Sequence, residues 1–305
     1  MSRTSVLSAY KKSAQNSELY RLRARPWRKR IKKYPLTTLW CGLVDRCWEL
    51  LIYALRLHSP LIGARTFWGE KITVNFPAYR SVYHHGLIDG YELPVEDFFV
   101  RELIDDDTFF DIGANIGFYT LLASALTKYV HSFEPTPRTF NILTKNAGSK
   151  NNVTLVNKAC MDKSGPLTIS DFGVENSGSN TTKSVDGAVS VAIYATTVDS
   201  YCEEHHASPS VVKIDVEGAE SVVITGATRT LTVHKPLLVI ELWNKAGNEE
   251  NFKATVEQLE ALGYASYQFG QNNRLISYRM GDRLLCPNMV FAHPLGRKPA
   301  GMVLQ

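Results

Sequence analysis

The sequence has no long uninterrupted apolar run. Its longest apolar stretch, residues 36–57, is broken by Asp45, Arg46 and Glu49, whereas a membrane-spanning helix needs about 18 or more consecutive apolar residues. The N-terminus also lacks an apolar segment directly after its charged residues, which a secretory signal would require. These absences argue against a transmembrane helix and against secretion, and we therefore expect a cytoplasmic protein.

Cysteine is scarce and is not arranged in ligand pairs. The five cysteines include no Cys-x-x-Cys pair, and Cys41 and Cys47 have no nearby Cys/His cluster that would complete a zinc site. An odd number of cysteines in this arrangement favours free thiols in a reducing compartment. Internal repeats are absent as well, and a hydrophobic content of 44% with 21% charged residues is typical of a globular chain.

Positive charge is concentrated at the N-terminus. Residues 1–33 contain eleven Lys or Arg and one acid, Glu18, so this segment carries +10; because the whole chain carries +4, the remainder carries −6. A basic arm of this kind can contact an anionic membrane surface. We do not expect nucleic acid as a partner, because the arm has few interleaved aromatic residues and the body is acidic.

An apolar segment with helical spacing follows the basic arm. Between Leu39 and Leu55, apolar residues recur at steps of three and four, which predicts an amphipathic helix. This helix could pack on the core, or residues 1–57 together could form a peripheral contact with the inner face of the membrane. We assign residues 1–70 to a basic arm with a helical extension and residues 71–305 to the main domain.

From residue 71 onwards, strand-like and helix-like segments alternate. Apolar strands rich in β-branched residues and separated by helices indicate an α/β fold, with a mostly parallel sheet and helices on both faces. Helices are predicted for VEDFFVRELI and after Gly117, Pro137, Gly218 and Asn248, and residues 173–191 are predicted to be a long loop. The predicted strands are KITVNF, RSVYHHGLID, TFFDIG, YVHSFE, VTLVNKA, PLTIS, VVKIDV and PLLVIEL, followed by antiparallel YASYQF, RLISYR and NMVFAH.

A glycine-rich turn, DIGANIG from Asp111 to Gly117, lies between an apolar strand and a predicted helix. Glycines at such a turn let the backbone bend tightly and come close to a ligand, while free N–H groups of the helix face that ligand. The spacing differs from the GxGxxG fingerprint, which weakens a dinucleotide interpretation. It suits a ligand without a pyrophosphate whose cationic end meets Asp111; a purely structural turn is the alternative.

Glu134 ends the next predicted strand, 17 residues after Gly117. An acid at the tip of the second strand is placed to accept hydrogen bonds from two ribose hydroxyls. A merely solvated strand end is the alternative. Pro135, directly after it, fixes the direction in which the chain leaves the strand.

Acidic residues also follow two later strands. Asp215, Glu217 and Glu220 come directly after VVKI, and Glu241 ends PLLVIE with Asn244 close behind. Because the carboxyl ends of parallel strands share one edge of a sheet, where ligands bind, we expect these groups to face a common site. Helix capping by Asp215 and favourable helix-dipole interactions of the glutamates are the structural alternative.

Five motifs, in this order, resemble the FkbM family of S-adenosylmethionine-dependent methyltransferases. They are DIGANIGFYTLLAS, FEPTPRTFNILTKN, TTVDS, KIDVEGAE and TGATRTL…KPLLVIELWN, and they cover roughly residues 109–243. The basic arm and Val198, where the family more often has Leu, depart from the pattern. The resemblance implies a class I, Rossmann-like methyltransferase fold with a seven-stranded, mostly parallel sheet and S-adenosylmethionine at its carboxyl edge.

The resemblance also implies which residues bind the cofactor. The methionine and ribose portions would lie against the glycine-rich turn, the ribose hydroxyls on the acid of the second strand, and the adenine between residues of the following loops. The acid after VVKI would lie near the donor methyl group. The residues so implied are Asp111, Gly113, Asn115 and Gly117 for the turn, Glu134 for the ribose, Pro135 and Asp162 for the adenine, and Asp215 for the methyl group.

The family implies O-methylation of a sugar, glycan or secondary-metabolite hydroxyl. Such a hydroxyl is a weak nucleophile at neutral pH and gains from a general base, for which Asp215, Glu217 and Glu241 are the candidates. Alternatively, Asp215, Glu241 and Asn244 share a divalent cation that lowers the pKa of the acceptor. Because these acids can serve without an ion, S-adenosylmethionine is the cofactor that we expect.

Other interpretations stay open at this point. His84 and His85 precede the core and could reach over the site, although adjacent histidines on a loop are usually exposed. The fold could also serve as a binding module that has lost catalysis, or it could methylate a lipid or RNA. The sequence does not predict the acceptor or the oligomeric state.

Overall fold

The computed structural model describes residues 3–21, 43–48, 50–51, 60–171, 189–245, 247–270 and 274–299 of the chain. Contacts divide the chain into two compact units, Met1–Glu96 and Asp97–Gln305, which are taken separately below. The domain boundary expected after residue 70 stays a prediction.

The first unit contains helices and one antiparallel strand pair. Its elements are α1 (Arg3–Arg21), α2 (residues 43–48 and 50–51), β1 (Leu61–Arg65), β2 (Lys71–Asn75), α3 (Arg80–His85) and a 3-10 turn (Gly90–Glu92), after which α4 (Leu93–Glu102) begins. The basic arm is helical over Arg3–Arg21: Val6 and Tyr10 are buried, and the Tyr10 hydroxyl donates to the Leu93 carbonyl at 2.7 Å.

The amphipathic helix expected in this unit is observed only in part. The amphipathic helix predicted between Leu39 and Leu55 is present over α2, and its other residues lie outside the described part of the chain. None of the helices that the structure describes is long and apolar enough to cross a membrane.

The strand predicted for RSVYHHGLID is wrong, because Arg80–His85 form α3. Val and Tyr favour strands only where a sheet offers them neighbours. Here Gly86 takes a left-handed conformation with φ 73°, and its N–H donates to the Val82 carbonyl, which closes a short helix.

The second unit is built on an eight-stranded sheet. Five consecutive strands, which extend to one edge of the sheet, are parallel, whereas the three strands on the other side pair antiparallel with their neighbours. In spatial order the strands are β12 (Leu275–Ser277), β11 (Ala265–Phe269), β13 (Asn288–Ala292), β10 (Leu237–Glu241), β9 (Val211–Ile214), β3 (Thr108–Ile112), β4 (Tyr129–Phe133) and β5 (Val153–Val156). The sheet has one strand more than the seven that the family resemblance implies. The antiparallel strands predicted for YASYQF, RLISYR and NMVFAH are confirmed as β11, β12 and β13.

Helices cover the sheet. Every residue of β9 and of β13 is buried, and because successive side chains point to opposite faces, both faces of the sheet must be covered. The helices are α5 (Phe118–Ser124), α6 (Pro137–Ala147), α7 (Val198–His205), α8 (Glu220–Thr225), α9 (Thr228–His234) and α10 (Glu249–Ala261). The helices expected after Gly117, Pro137, Gly218 and Asn248 are thus confirmed.

One predicted strand lies in a different sheet. PLTIS belongs to β7 (Gly165–Asp171), which pairs antiparallel with β8 (Val189–Thr196) in a small sheet that also contains β6 (Ala159–Cys160). The apolar alternation of β7 signals a strand but not its partner, since the partner is set by contacts distant in sequence. β8 also begins inside the predicted loop 173–191, and the rest of that loop lies outside the described residues.

Candidate functional site

The sheet brings the ends of four parallel strands to one edge. β4, β3, β9 and β10 lie side by side and run in the same direction, so the segments that follow them meet there. The segments that follow β4, β3 and β9 border a cleft of about 740 Å³, its open mouth included. Six of the predicted site residues line it: Gly113, Asn115, Glu134, Pro135, Asp215 and Glu217.

The glycine-rich turn packs against the neighbouring strand ends. Gly113 has φ 85°, and a Cβ atom there would lie 1.8 Å from the Asp215 carbonyl oxygen. Its N–H donates to the Phe133 carbonyl at 3.0 Å. Gly117, at φ 90°, caps α5 beside Leu143 and does not line the cleft. Glycine is therefore required at position 113 so that β3, β4 and β9 can come together.

Asp111 lies beneath the turn rather than in the cleft. The Thr120 hydroxyl donates to Asp111 Oδ2 at 2.7 Å. The same hydroxyl lies 2.9 Å from the hydroxyl of Ser132. Burial raises the pKa of Asp111, and the positive charge of Lys213 opposes that rise. The side chain is thus part of a buried polar network under the glycine-rich turn.

Glu134 presents a buried carboxylate to the cleft. Its Oε2 accepts from the Asn115 N–H at 3.1 Å, and its Oε1 accepts from the Thr136 N–H at 2.9 Å. Burial raises the pKa of Glu134 to about 7, and the two N–H donors limit that rise. Asn157, which sequence reasoning missed, donates through Nδ2 to the Glu134 and Pro135 carbonyls and so fixes the strand exit.

Asp162, the predicted neighbour of the adenine, is exposed and does not line the cleft. Cys160 and Met161, immediately before it, are lining residues. A Cβ atom at Gly226 would lie 2.0 Å from the Met161 carbonyl oxygen, so this segment packs closely on the turn after α8. The predicted residue therefore directly follows two apolar residues that line the cleft, which sequence reasoning missed.

Asp215 is held by a lysine that the sequence reasoning did not single out. Lys213 Nζ donates to Asp215 Oδ2 at 2.8 Å, and its side chain is 4% exposed against 27% for Asp215. The same ammonium lies 4.9 Å from the centre of the Tyr119 ring. A buried charge needs such partners. A lysine inside an apolar strand was the available signal.

Glu217 stands beside Asp215 in an uncommon backbone conformation. Its φ is 54°, in the left-handed region, and Gly218 follows at φ 98°. Burial, together with the charges of Asp215 and Glu220, raises the pKa of Glu217 to about 8, while the positive charge of Lys245 opposes that rise. Glu220 has a structural role: its Oε1 accepts from the Gly218 N–H at 3.1 Å.

Glu241 completes a group of three acids at this end of the cleft. Carboxylate oxygens of Asp215, Glu217 and Glu241 all lie within 4.8 Å of one another. The alternative of a divalent cation was predicted with Asn244 as its third ligand. Asn244 is exposed, and the third member of the observed group is Glu217. Such a group can hold a cation or a proton.

The two adjacent histidines lie in the first unit. His84 Nε2 is 2.6 Å from Asp45 Oδ1, and both side chains are largely buried. The His84 ring therefore has a hydrogen-bonding partner, Asp45, within the first unit.

Comparison with known proteins decides the family. The sequence model of a family described as Methyltransferase FkbM domain matches residues 111–266, which is 156 of the 305 residues. This chain belongs to the FkbM methyltransferase family. The match begins at Asp111 and ends in β11, so it includes every strand end around the cleft. Together with the mostly parallel sheet, it confirms the family and the fold class that the motifs predicted.

One relative of this FkbM-family protein is named for its action on a hexuronic acid. Hexuronic acid methyltransferase AglP of Haloferax volcanii is 28% identical over 177 residues, which cover 57% of this chain and 71% of AglP. The crystal structure of methyltransferase FkbM from Methylobacillus flagellatus is 15% identical with a TM-score of 0.41, over 72% of this chain and 56% of that one. Aeropyrum pernix fibrillarin, with S-adenosyl-L-methionine bound, is 13% identical with a TM-score of 0.38, over 77% and 83% of the two chains.

Proposed function

We propose that this FkbM-family protein transfers a methyl group from S-adenosylmethionine to a hydroxyl of a sugar or glycan. One observation carries the proposal: a single cleft is lined by the buried carboxylate of Glu134 and also by Asp215 and Glu217. The first suits a ribose, and the others suit an acceptor hydroxyl that must lose a proton. The sugar-modifying relative AglP supports the choice of acceptor.

The lining of the cleft fits this cofactor. Glu134 is held by two backbone N–H groups and keeps lone pairs for two ribose hydroxyls. Pro135, Met161 and Ile169 offer apolar surface for the adenine. When bound, S-adenosylmethionine supplies a methyl group on a sulfonium, an electrophile with a good leaving group. The remaining tasks of the protein are to align the acceptor oxygen and to exclude water.

Of the candidate bases, Glu217 is the one that we assign to proton transfer. One oxygen of Asp215 is already occupied by Lys213, which suits Asp215 to orient the acceptor. Glu217 has a pKa raised to about 8 by burial and by its acidic neighbours, and a general base is most effective when its pKa lies near the working pH. Glu217 therefore takes up the hydroxyl proton as the acceptor oxygen is methylated, and Glu241 lies beside both acids.

An acidic sugar is the acceptor class that the surroundings favour. Lys245 Nζ lies 4.2 Å from the centre of the Trp243 ring, and the positive charge of Lys245 opposes the rise in the pKa of Glu217. A lysine and an aromatic ring beside the acids match the carboxylate and the ring face of a uronic acid. We propose that Lys245 binds the sugar carboxylate.

The cofactor site is tested by isothermal titration with S-adenosylmethionine and S-adenosylhomocysteine. We expect binding by the wild type and a loss of about 10- to 100-fold in Glu134→Gln, since hydrogen bonds to a charged group contribute about 1.5–3 kcal/mol. Glu257→Gln, on an exposed part of α10, is the matched control. Equal affinity in all three proteins would contradict the assigned cofactor site.

The acceptor is tested with a labelled methyl donor and pairs of uronic acids and their neutral sugar counterparts. We expect methylation of the acidic sugar, and a higher KM for it in Lys245→Ala with little change for the neutral sugar. Cofactor binding without turnover on any acceptor would instead favour a binding module. Treatment with EDTA is expected to leave the rate unchanged, whereas a loss restored by Mg²⁺ would support the cation alternative.

A further inference from the structure

Helix α2 turns an apolar face outward from the first unit. Leu43, Leu50 and Leu51 are 59%, 67% and 45% exposed, and Cys47 is exposed as well. At 100° per residue, positions 43, 47, 50 and 51 fall within one third of the helix circumference. Scattered exposed leucines are ordinary, but a contiguous stripe on one helix face marks a docking surface.

The outward direction of this face is fixed by contacts on the opposite side of α2. Asp45 is buried and lies 2.6 Å from His84 Nε2. The Trp48 ring packs on Phe76, with ring centres 5.8 Å apart. The same helix therefore has one side packed against its own unit and the other side left to another partner.

The positive charge of the first unit indicates which kind of partner binds the exposed face of α2. Residues 1–33, in the same unit, carry +10, and Arg46 is exposed at the margin of the leucine face. A second copy of the chain would bring a second arm of the same charge. Nucleic acid would meet the arm but would gain little from aliphatic side chains, because bases are bound by stacking and hydrogen bonds.

We propose that the face formed by Leu43, Cys47, Leu50 and Leu51 docks on an anionic lipid surface. Leucines enter the boundary between headgroups and acyl chains, while Arg46 and the basic arm contact the lipid phosphates. The two contributions act together, since neither a short apolar face nor a basic segment alone gives stable attachment. The proposal is independent of the methyl-transfer site, which lies in the second unit.

The test is co-sedimentation of the full chain with two kinds of vesicle, phosphatidylcholine alone and phosphatidylcholine containing phosphatidylglycerol. We expect binding only to the anionic vesicles, weakened by added salt, and at least tenfold weaker in Leu43→Gln/Leu50→Gln/Leu51→Gln. The matched control is Val189→Gln/Val233→Gln/Leu295→Gln, which removes three exposed apolar side chains from the second unit. Circular dichroism checks that both variants are folded.

Four outcomes would overturn the proposal. The leucine variant could bind as tightly as the wild type, the wild type could bind both kinds of vesicle equally, or it could bind neither. Sedimentation velocity supplies the fourth: a dimer that the leucine substitutions dissociate would assign the face to a second copy of the chain.

Discussion

At the scale of single residues, Glu217 combines three properties that seldom coincide. Its φ of 54° is uncommon for a residue with a side chain, and such strain is retained mainly at functional sites. The residue lines the cleft. Its raised pKa of about 8 keeps it protonated below that pH, although it must be ionised to accept a proton.

We therefore expect turnover to rise with pH until about 8 and then to level off. Below that point the ionised fraction grows tenfold for each pH unit, so the rate should follow it. Glu217→Gln should lower kcat by about 100-fold or more and remove this limb of the profile, whereas Glu257→Gln should change neither. A pH profile that is unchanged in Glu217→Gln would exclude Glu217 as the base.

Glu134 links the cofactor site to the pH dependence of stability. Burial raises its pKa in the folded chain from 4.5 to about 7, so between these values the folded state holds a proton that the unfolded state has released. Stability is thus lost as the pH rises through this window, by up to about 3 kcal/mol for this one group. Urea unfolding of the ligand-free protein should give similar stability for wild type and Glu134→Gln near pH 5.

Near pH 8 the same variant should be the more stable of the two, because glutamine has no proton to lose. The quantity to compare is the difference in the free energy of unfolding between the two proteins at each pH, because other buried acids change the pH dependence of both proteins alike. A difference that is constant from pH 5 to pH 8 would mean that Glu134 titrates normally.

At the scale of elements, the turn between β3 and α5 determines how closely three strand ends approach. Gly113→Ala combines a left-handed φ of 85° with a Cβ atom 1.8 Å from a backbone oxygen of β9's exit. We expect a loss of about 3 kcal/mol or more in the free energy of unfolding, because backbone must move. Gly281→Ala has φ 98° but open space around it, and should cost only about 1 kcal/mol. Equal losses would remove the packing explanation.

The sequence indicated those elements whose signals are local. The buried strands β3, β4, β9 and β10 and the turns after them could be read from apolar runs that end in glycines or acids, and so could six of the residues that line the cleft. Which strands pair depends on residues distant in sequence, and for this reason PLTIS was predicted in the main sheet although it belongs to the small one. The partnership of Lys213 with Asp215 depends on burial, and the apolar contact of Met161 depends on the packing of Gly226; neither follows from spacing.

At the scale of the whole molecule, charge and tryptophan are divided unequally between the two units. Met1–Glu96 contains sixteen Lys or Arg and seven acids, a charge of +9, so the chain total of +4 leaves −5 for the second unit. Four of the five tryptophans also lie in the first unit. Tryptophan fluorescence therefore reports mainly on the first unit, whereas the large sheet and most helices dominate circular dichroism.

This division makes the location of cofactor binding measurable by heating. A ligand stabilises only the unit that binds it, by about 2.7 kcal/mol at a concentration 100 times its Kd. For the 209 residues of Asp97–Gln305, that corresponds to a rise in Tm of about 2–4 °C. We expect S-adenosylhomocysteine to raise the Tm followed by circular dichroism and to leave the Tm followed by tryptophan fluorescence nearly unchanged. Glu134→Gln should abolish the shift. Equal shifts by both probes would mean that the two units unfold as one cooperative body.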